Sequence, residues 1–166
     1  MTRVQPIKTM WALALALSLP AVASATLRDL DGRVRQIEEF TGRGQWTVVM
    51  IWASDCMVCN AEAHRYVDFH TFHQDEDAGV LGISMDGQDG LADAQAFIQE
   101  HSVNFPNLIG EPEDVAAMYT RLTGRPWRGT PTFLIYGPDG ELRAQQVGAV
   151  PTEVIVDFIA RGGEQD

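Results

Sequence analysis

The chain has two cysteines, Cys56 and Cys59, and they directly follow the apolar, β-branched run Thr47–Ala53 (TVVMIWA). Such a run reads as a strand buried on both faces. A helix is expected from about Cys56 to His73, with Val58, Glu62, Arg65, Phe69 and Phe72 on one stripe. This placement has a chemical consequence. On the first turn of a helix two sulfurs three residues apart reach bonding distance, so a disulfide forms and opens with little backbone movement. The helix N-terminus also offers unpaired N–H groups and the positive end of the dipole, which stabilise a thiolate at Cys56. Cys56 is therefore expected to attack, and Cys59, one turn further in, to resolve the mixed disulfide.

Two plainer readings compete. A structural disulfide would restrain the unfolded chain little when it closes so small a loop. A zinc site needs two more ligands, and there is no second cysteine pair. His70 and His73 read as solvated helix residues, so no metal is expected.

The flanking segments set the architecture. Leu27 to Ile37 reads as two short strands around Asp31-Gly32, followed by a Gly-rich connection from Thr41 to Gln45. Gly79–Met85 is a second buried strand. Gly90–His101 is an amphipathic helix with Leu91, Ala94, Phe97 and Ile98 inward. Phe105–Ile109 is a short extended piece, and Pro112 opens a helix over Glu113–Leu122. Thr123–Gly129 is a loop by composition. Thr132–Tyr136 and Glu141–Val147 form a hairpin around Pro138-Asp139-Gly140. A last helix runs from Pro151 to Gly162, with Val154, Ile155, Phe158 and Ile159 inward. Alternating strands and helices imply an α/β layered sheet, and the closing hairpin makes it mixed.

Residues 1–25 read as a separate object. Arg3 and Lys8 precede the apolar stretch Met10–Leu19, and Ala23-Ser24-Ala25 supplies a small-x-small cleavage site. This is the layout of a secretory signal peptide, leaving one domain over 26–166. An uncleaved anchor is the competing reading, but the apolar stretch falls short of the ~20 residues a spanning helix needs. The whole chain carries 12 Lys+Arg against 23 Asp+Glu, a net charge of −11. The leader holds two of the cations and no acid, so its loss takes −11 to −13. So acidic a surface disfavours nucleic acid and anionic membrane as partners.

Trp52-Ala53-Ser54 before C-x-x-C, Glu62 three residues after Cys59, and Gly129-Thr130-Pro131-Thr132-Phe133-Leu134-Ile135 together resemble the TlpA/ResA group of exported thioredoxin-like proteins. The likeness includes an inserted β-α unit around Gly82 to Ile109 and Gly148 before the last helix. It implies an α/β thioredoxin-like fold with an N-terminal β-hairpin and that inserted unit. It implies reduction of disulfides in partner proteins outside the cytoplasm, often in cytochrome c or cytochrome oxidase assembly; with the leader, a periplasmic monomer is expected. No cofactor is implied, and a membrane thiol protein would restore the reduced pair. Carried over by residue, Cys56, Cys59 and Glu62 are catalytic, and Pro131 is a cis-proline. Trp52, Thr130, Pro131 and Trp127 are the expected substrate contacts. A carboxyl at Glu62, one turn beyond Cys59, could exchange protons with the thiols; the plainer reading is an ion pair with Arg65.

Three departures stand out. Asp55 replaces the Trp usual before the first Cys; it can cap the helix, and its charge opposes a thiolate. Met57-Val58 lacks the Pro common between the cysteines, and this dipeptide tunes the potential. The loop from Thr120 to Gly129 is longer than usual and brings Arg125, Trp127 and Arg128, either for partner contact or with Trp127 as a core anchor. Alternatives are a copper chaperone module, though such carriers space their cysteines C-x-x-x-C, and a thiol oxidase running the same chemistry backwards. A peroxidase would want Thr where this chain has Ala53.

Overall fold

The computed structural model describes residues 26–164, so the expected leader lies outside the described residues. The chain forms β1 (Leu27–Asp29), β2 (Val34–Arg35), β3 (Trp46–Trp52), α1 (Met57–His73), β4 (Ala78–Ser84), α2 (Leu91–Glu100), β5 (Asn107–Ile109), α3 (Pro112–Thr123), β6 (Thr132–Tyr136), β7 (Leu142–Val147) and α4 (Thr152–Ala160). The seven strands make one sheet in the order β2-β1-β5-β4-β3-β6-β7. β3 runs parallel to β4 and antiparallel to β6, so the sheet is mixed. This is the α/β arrangement the sequence implies, with the N-terminal hairpin in place and the end of β4, α2 and β5 over Gly82 to Ile109, where the inserted β-α unit is expected.

Every residue of β3 is buried, because helices cover both faces of the sheet. Its alternate side chains feed two core layers. Val48, Met50 and Trp52 pack with α1, α2 and α4, whereas Val49 and Ile51 pack with α3 and the N-terminal residues Leu27 and Ile37. The expected inward stripe of α1 is out of phase. Cys59, Ala63, Tyr66, Phe69 and His70 are buried, while Val58 is 43% and Phe72 73% exposed. Large apolar residues suggested the phase, but polar residues on every side of this helix leave tertiary packing to decide it. Tyr66 settles the inner face by stacking on Phe133 at 4.6 Å and donating its hydroxyl to the Val150 carbonyl at 2.8 Å. In α4 the expected inward Val154 is likewise exposed, and Ile155, Phe158 and Ile159 fill the interface.

Trp52, expected to face substrate, is 1% exposed and belongs to the core. Its ring stacks on Phe97 of α2 at 4.2 Å, and its indole N–H donates to Asn107 Oδ1 at 3.0 Å. The Asn107 amide in turn donates to the Phe105 carbonyl at 2.9 Å. Gly82 of β4 makes room for this pair: a Cβ there would overlap Asn107 Oδ1 and come within 3.0 Å of the Trp52 nitrogen. The inserted unit is thus keyed to the end of β3 by one buried polar contact. Gly82→Ala is expected to lower stability by about 1–3 kcal/mol, because neither partner can retreat without losing its hydrogen bond. Urea denaturation followed by circular dichroism measures it, and a change within error would contradict this packing.

His70 is also not solvated as expected; it is 7% exposed and sits edge-on to Phe105. Its Nδ1 accepts the Val80 backbone N–H at 3.1 Å, joining α1 to β4. An acceptor there requires the neutral ring, and burial lowers its pKa from 6.5, with Asp75 and Gln74 opposing. Because the folded pKa lies below the unfolded one, the stability from this group is complete above about pH 6.5 and is lost as pH falls below it. His70→Gln keeps an acceptor without the titration. Its thermal midpoint is expected to fall less than that of the unsubstituted chain between about pH 7.5 and 5. Parallel curves for the two proteins would contradict the assignment.

Candidate active site

Cys56 is the N-cap of α1, with extended backbone at φ −76° and ψ 107°. Its Sγ accepts the backbone N–H of Cys59 at 3.1 Å, so the open end of the helix points at this sulfur. The two cysteines are joined as a disulfide, with Cα atoms 5.2 Å apart. They are not equivalent. Cys59 is fully buried among Trp52, Ala63 and Tyr66, whereas Cys56 is half-buried at the surface. Met57, 83% exposed, and Val58 form an apolar rim between them. Asp55 is exposed and does not cap the helix; Cys56 occupies that position instead.

A polar frame fixes the turn that carries Cys56. Asp86, just past β4, accepts the Ser54 N–H at 3.0 Å and the Ser54 hydroxyl at 2.7 Å. It also accepts the Ser84 hydroxyl at 2.6 Å. From the other side, the Asn60 side-chain amide donates to the carbonyls of Ser54 and Cys56, both at 2.9 Å. Its oxygen is left to accept from His101 Nε2 at 2.8 Å, which places a proton on that ring nitrogen. Sequence reasoning missed Asn60, Asp86 and His101. Only Asn60 had a local signal, at i+4 from Cys56 on the same helix.

Glu62 is half-buried and pairs with Arg65 at 3.4 Å, the plainer of its two expected contacts. The Thr130–Pro131 peptide bond is cis, as expected. The turn before it needs Gly129, at φ 138°. The turn is pinned where the Thr132 hydroxyl donates to the Gly129 carbonyl and the Gly148 N–H donates to the Pro131 carbonyl at 2.8 Å. Ile51 pairs with Thr132 across β3 and β6, so Pro131 comes level with the end of β3, from which the cysteine turn departs. The N–H and C=O of Thr130 take part in no hydrogen bond among the described residues. Trp127 is half-buried, edge-on to Tyr119 at 5.3 Å and packed on the α3-side core layer, which is the anchoring role rather than an open contact. Arg125 and Arg128, on either side of it, are exposed and line a cavity with β7 rather than the disulfide. Among the described residues no three His, Cys, Asp or Glu side chains converge to hold a metal ion.

Comparison with known proteins agrees with this geometry. Sporulation thiol-disulfide oxidoreductase A of Bacillus subtilis (strain 168) is 19% identical over 117 residues, spanning 70% of this chain and 67% of that protein. A secreted thiol-disulfide isomerase from Corynebacterium glutamicum superposes with a TM-score of 0.70 at 20% identity, covering 85% of this chain and 84% of that one. A thiol:disulfide interchange protein from Chlorobium tepidum TLS gives 0.67 at 18% identity, covering 90% and 100%. At such identities the structures establish the thioredoxin fold. The AhpC/TSA family model matches residues 20–145, three-quarters of the sequence, and the chain belongs to the AhpC/TSA family as a thioredoxin-fold member with its redox pair at Cys56 and Cys59.

Proposed function

We propose that this chain is an extracytoplasmic thiol–disulfide oxidoreductase that reduces disulfides in partner proteins. The observation that carries the reading is the asymmetry of the pair: one sulfur at the surface under a helix N-terminus, the other sealed behind it. In the reduced protein the Cys56 thiolate attacks one sulfur of the partner's disulfide, and the partner's other sulfur leaves as a thiolate. Cys59 then loses its proton and attacks Cys56, which releases the partner's second thiol. Two electrons pass to the partner, and the Cys56–Cys59 disulfide remains, the state seen here. Glu62 is the proposed acceptor of the Cys59 proton, being half-buried one turn along. The free Thr130 backbone groups would pair with an extended segment of the partner, as an added strand.

Export is proposed from the residues of the leader, and the Corynebacterium neighbour is described as secreted. A membrane thiol protein is the proposed electron donor, and the protein is proposed to act as a monomer, without a cofactor. Cytochrome c or cytochrome oxidase assembly is the setting the TlpA/ResA likeness suggests. The direction of electron flow is argued from charge. Among the described residues the Cys59 N–H is the one hydrogen-bond donor to the Cys56 sulfur, no Arg or His side chain donates to it, and Asp55 adjoins it in the chain. A thiolate so weakly supported is a good reductant.

Cys59→Ser is expected to accumulate mixed disulfides with partner proteins on Cys56, and Cys56→Ser almost none. Non-reducing gels of the two variants, followed by mass spectrometry of the cross-linked cysteine, measure this. Equal trapping by both would contradict the assigned roles.

A further inference from the structure

We propose that the partner's target cysteine is flanked by acidic residues, which dock in a basic groove between α3, its following loop and β7. The proposal rests on the oxidoreductase reading and names the substrate class for it. Two adjoining cavities, of about 470 and 260 Å³, run along β7 and share Arg125, Gln145 and Gln146. Their walls hold Arg125, Arg128 and Arg143 and not one acidic residue. That is notable in a chain with 23 acids to 12 bases. Arg33, Arg35, Arg65 and Arg143 each pair with a carboxylate, Arg143 with Asp139. Arg125 and Arg128 make no ion pair, and their guanidiniums no hydrogen bond, among the described residues. They project from a loop that the half-buried Trp127 fastens to Tyr119. Two free guanidiniums on an anchored loop suit carboxylates, which they can grip bidentately.

Position ties this groove to the redox site. Arg128 lies two residues before Thr130, whose backbone groups are open. Val147 lines the groove and pairs with Thr132. An extended partner segment aligned on Thr130 would therefore run past Arg128 and toward Arg125. At about 3.3 Å per residue, its contacting side chains lie roughly two to five residues from the reacting cysteine. The net acidity of the chain disfavours an acidic partner over most of the remaining surface, so the same charges orient it.

The test uses fluorescein-labelled peptides with Ser in place of the target Cys, so that binding is read without redox chemistry. One peptide carries Asp and Glu on the flank, the second Asn and Gln, the third Lys. By anisotropy, the acidic peptide is expected to bind roughly tenfold tighter than its amide twin. Arg125→Gln/Arg128→Gln should remove that preference, as should raising salt from about 20 to 300 mM. Arg125→Glu/Arg128→Glu should prefer the lysine peptide, a reversal that a misfolded variant would not show. Equal affinity for the acidic and amide peptides in the unsubstituted protein would overturn the proposal. So would self-association that Arg125→Gln/Arg128→Gln abolishes, which would assign the groove to a second copy. Cys-containing versions that bind by these rules but never exchange would leave the groove standing and refute the oxidoreductase reading.

Discussion

The turn that brings the Cys56 sulfur to the helix N-terminus is held by hydrogen bonds from two sides. Asp86 grips Ser54 from the end of β4, and Asn60 grips the Ser54 and Cys56 carbonyls from α1. His101, at the end of α2, holds Asn60 in that orientation. These carbonyls and N–H groups sit between buried strand and helix, where unpaired polar groups are costly. The frame therefore does two things at once. It satisfies the turn, and it fixes the attacking sulfur where the Cys59 N–H can reach it. Ser84, Asp86 and His101 come from β4, the turn after it and the end of α2, which makes this stretch part of the site rather than an appendage.

The same insertion explains why Trp52 is in the core. Next to a C-x-x-C, a Trp invites a role in partner contact. Here Gly82 leaves space for Asn107, Asn107 takes the indole N–H, and Phe97 covers the ring. The Trp is consumed in anchoring the inserted unit to β3. On the other face Trp127 does similar work, holding its loop to α3 through Tyr119. The side chains left free beside Cys56 in the chain are Asp55, Met57 and Val58, an apolar rim with one acidic neighbour.

Much of this was legible in the sequence where a local rule decides. The buried run before Cys56, the strand Thr132–Tyr136, the closing hairpin and the helix opened by Pro112 are all found with small shifts at their ends. So is the cis bond at Pro131. Where tertiary contacts decide, the sequence misleads. The α1 stripe is out of phase because Tyr66 finds partners in Phe133 and Val150, far along the chain. His70 looks solvated until Val80 claims its ring nitrogen. Asp55 looks like the cap, but the cap is Cys56 itself. Asp86 and His101 carry no local signal, since each meets its partner only when β4 and α2 fold against β3 and α1.

The proposed direction, in which this pair gives electrons away, is supported by what surrounds the Cys56 sulfur: one donated backbone N–H and an adjacent Asp55. A reduced state so modestly stabilised belongs on the reducing side of the scale. Equilibrating the protein with reduced and oxidised glutathione, or with dithiothreitol where glutathione is too weak, gives the Cys56–Cys59 potential. A value nearer about −270 than −120 mV is expected of a reductant, whereas one near −120 mV would make the protein an oxidant of partner thiols and contradict the proposed direction.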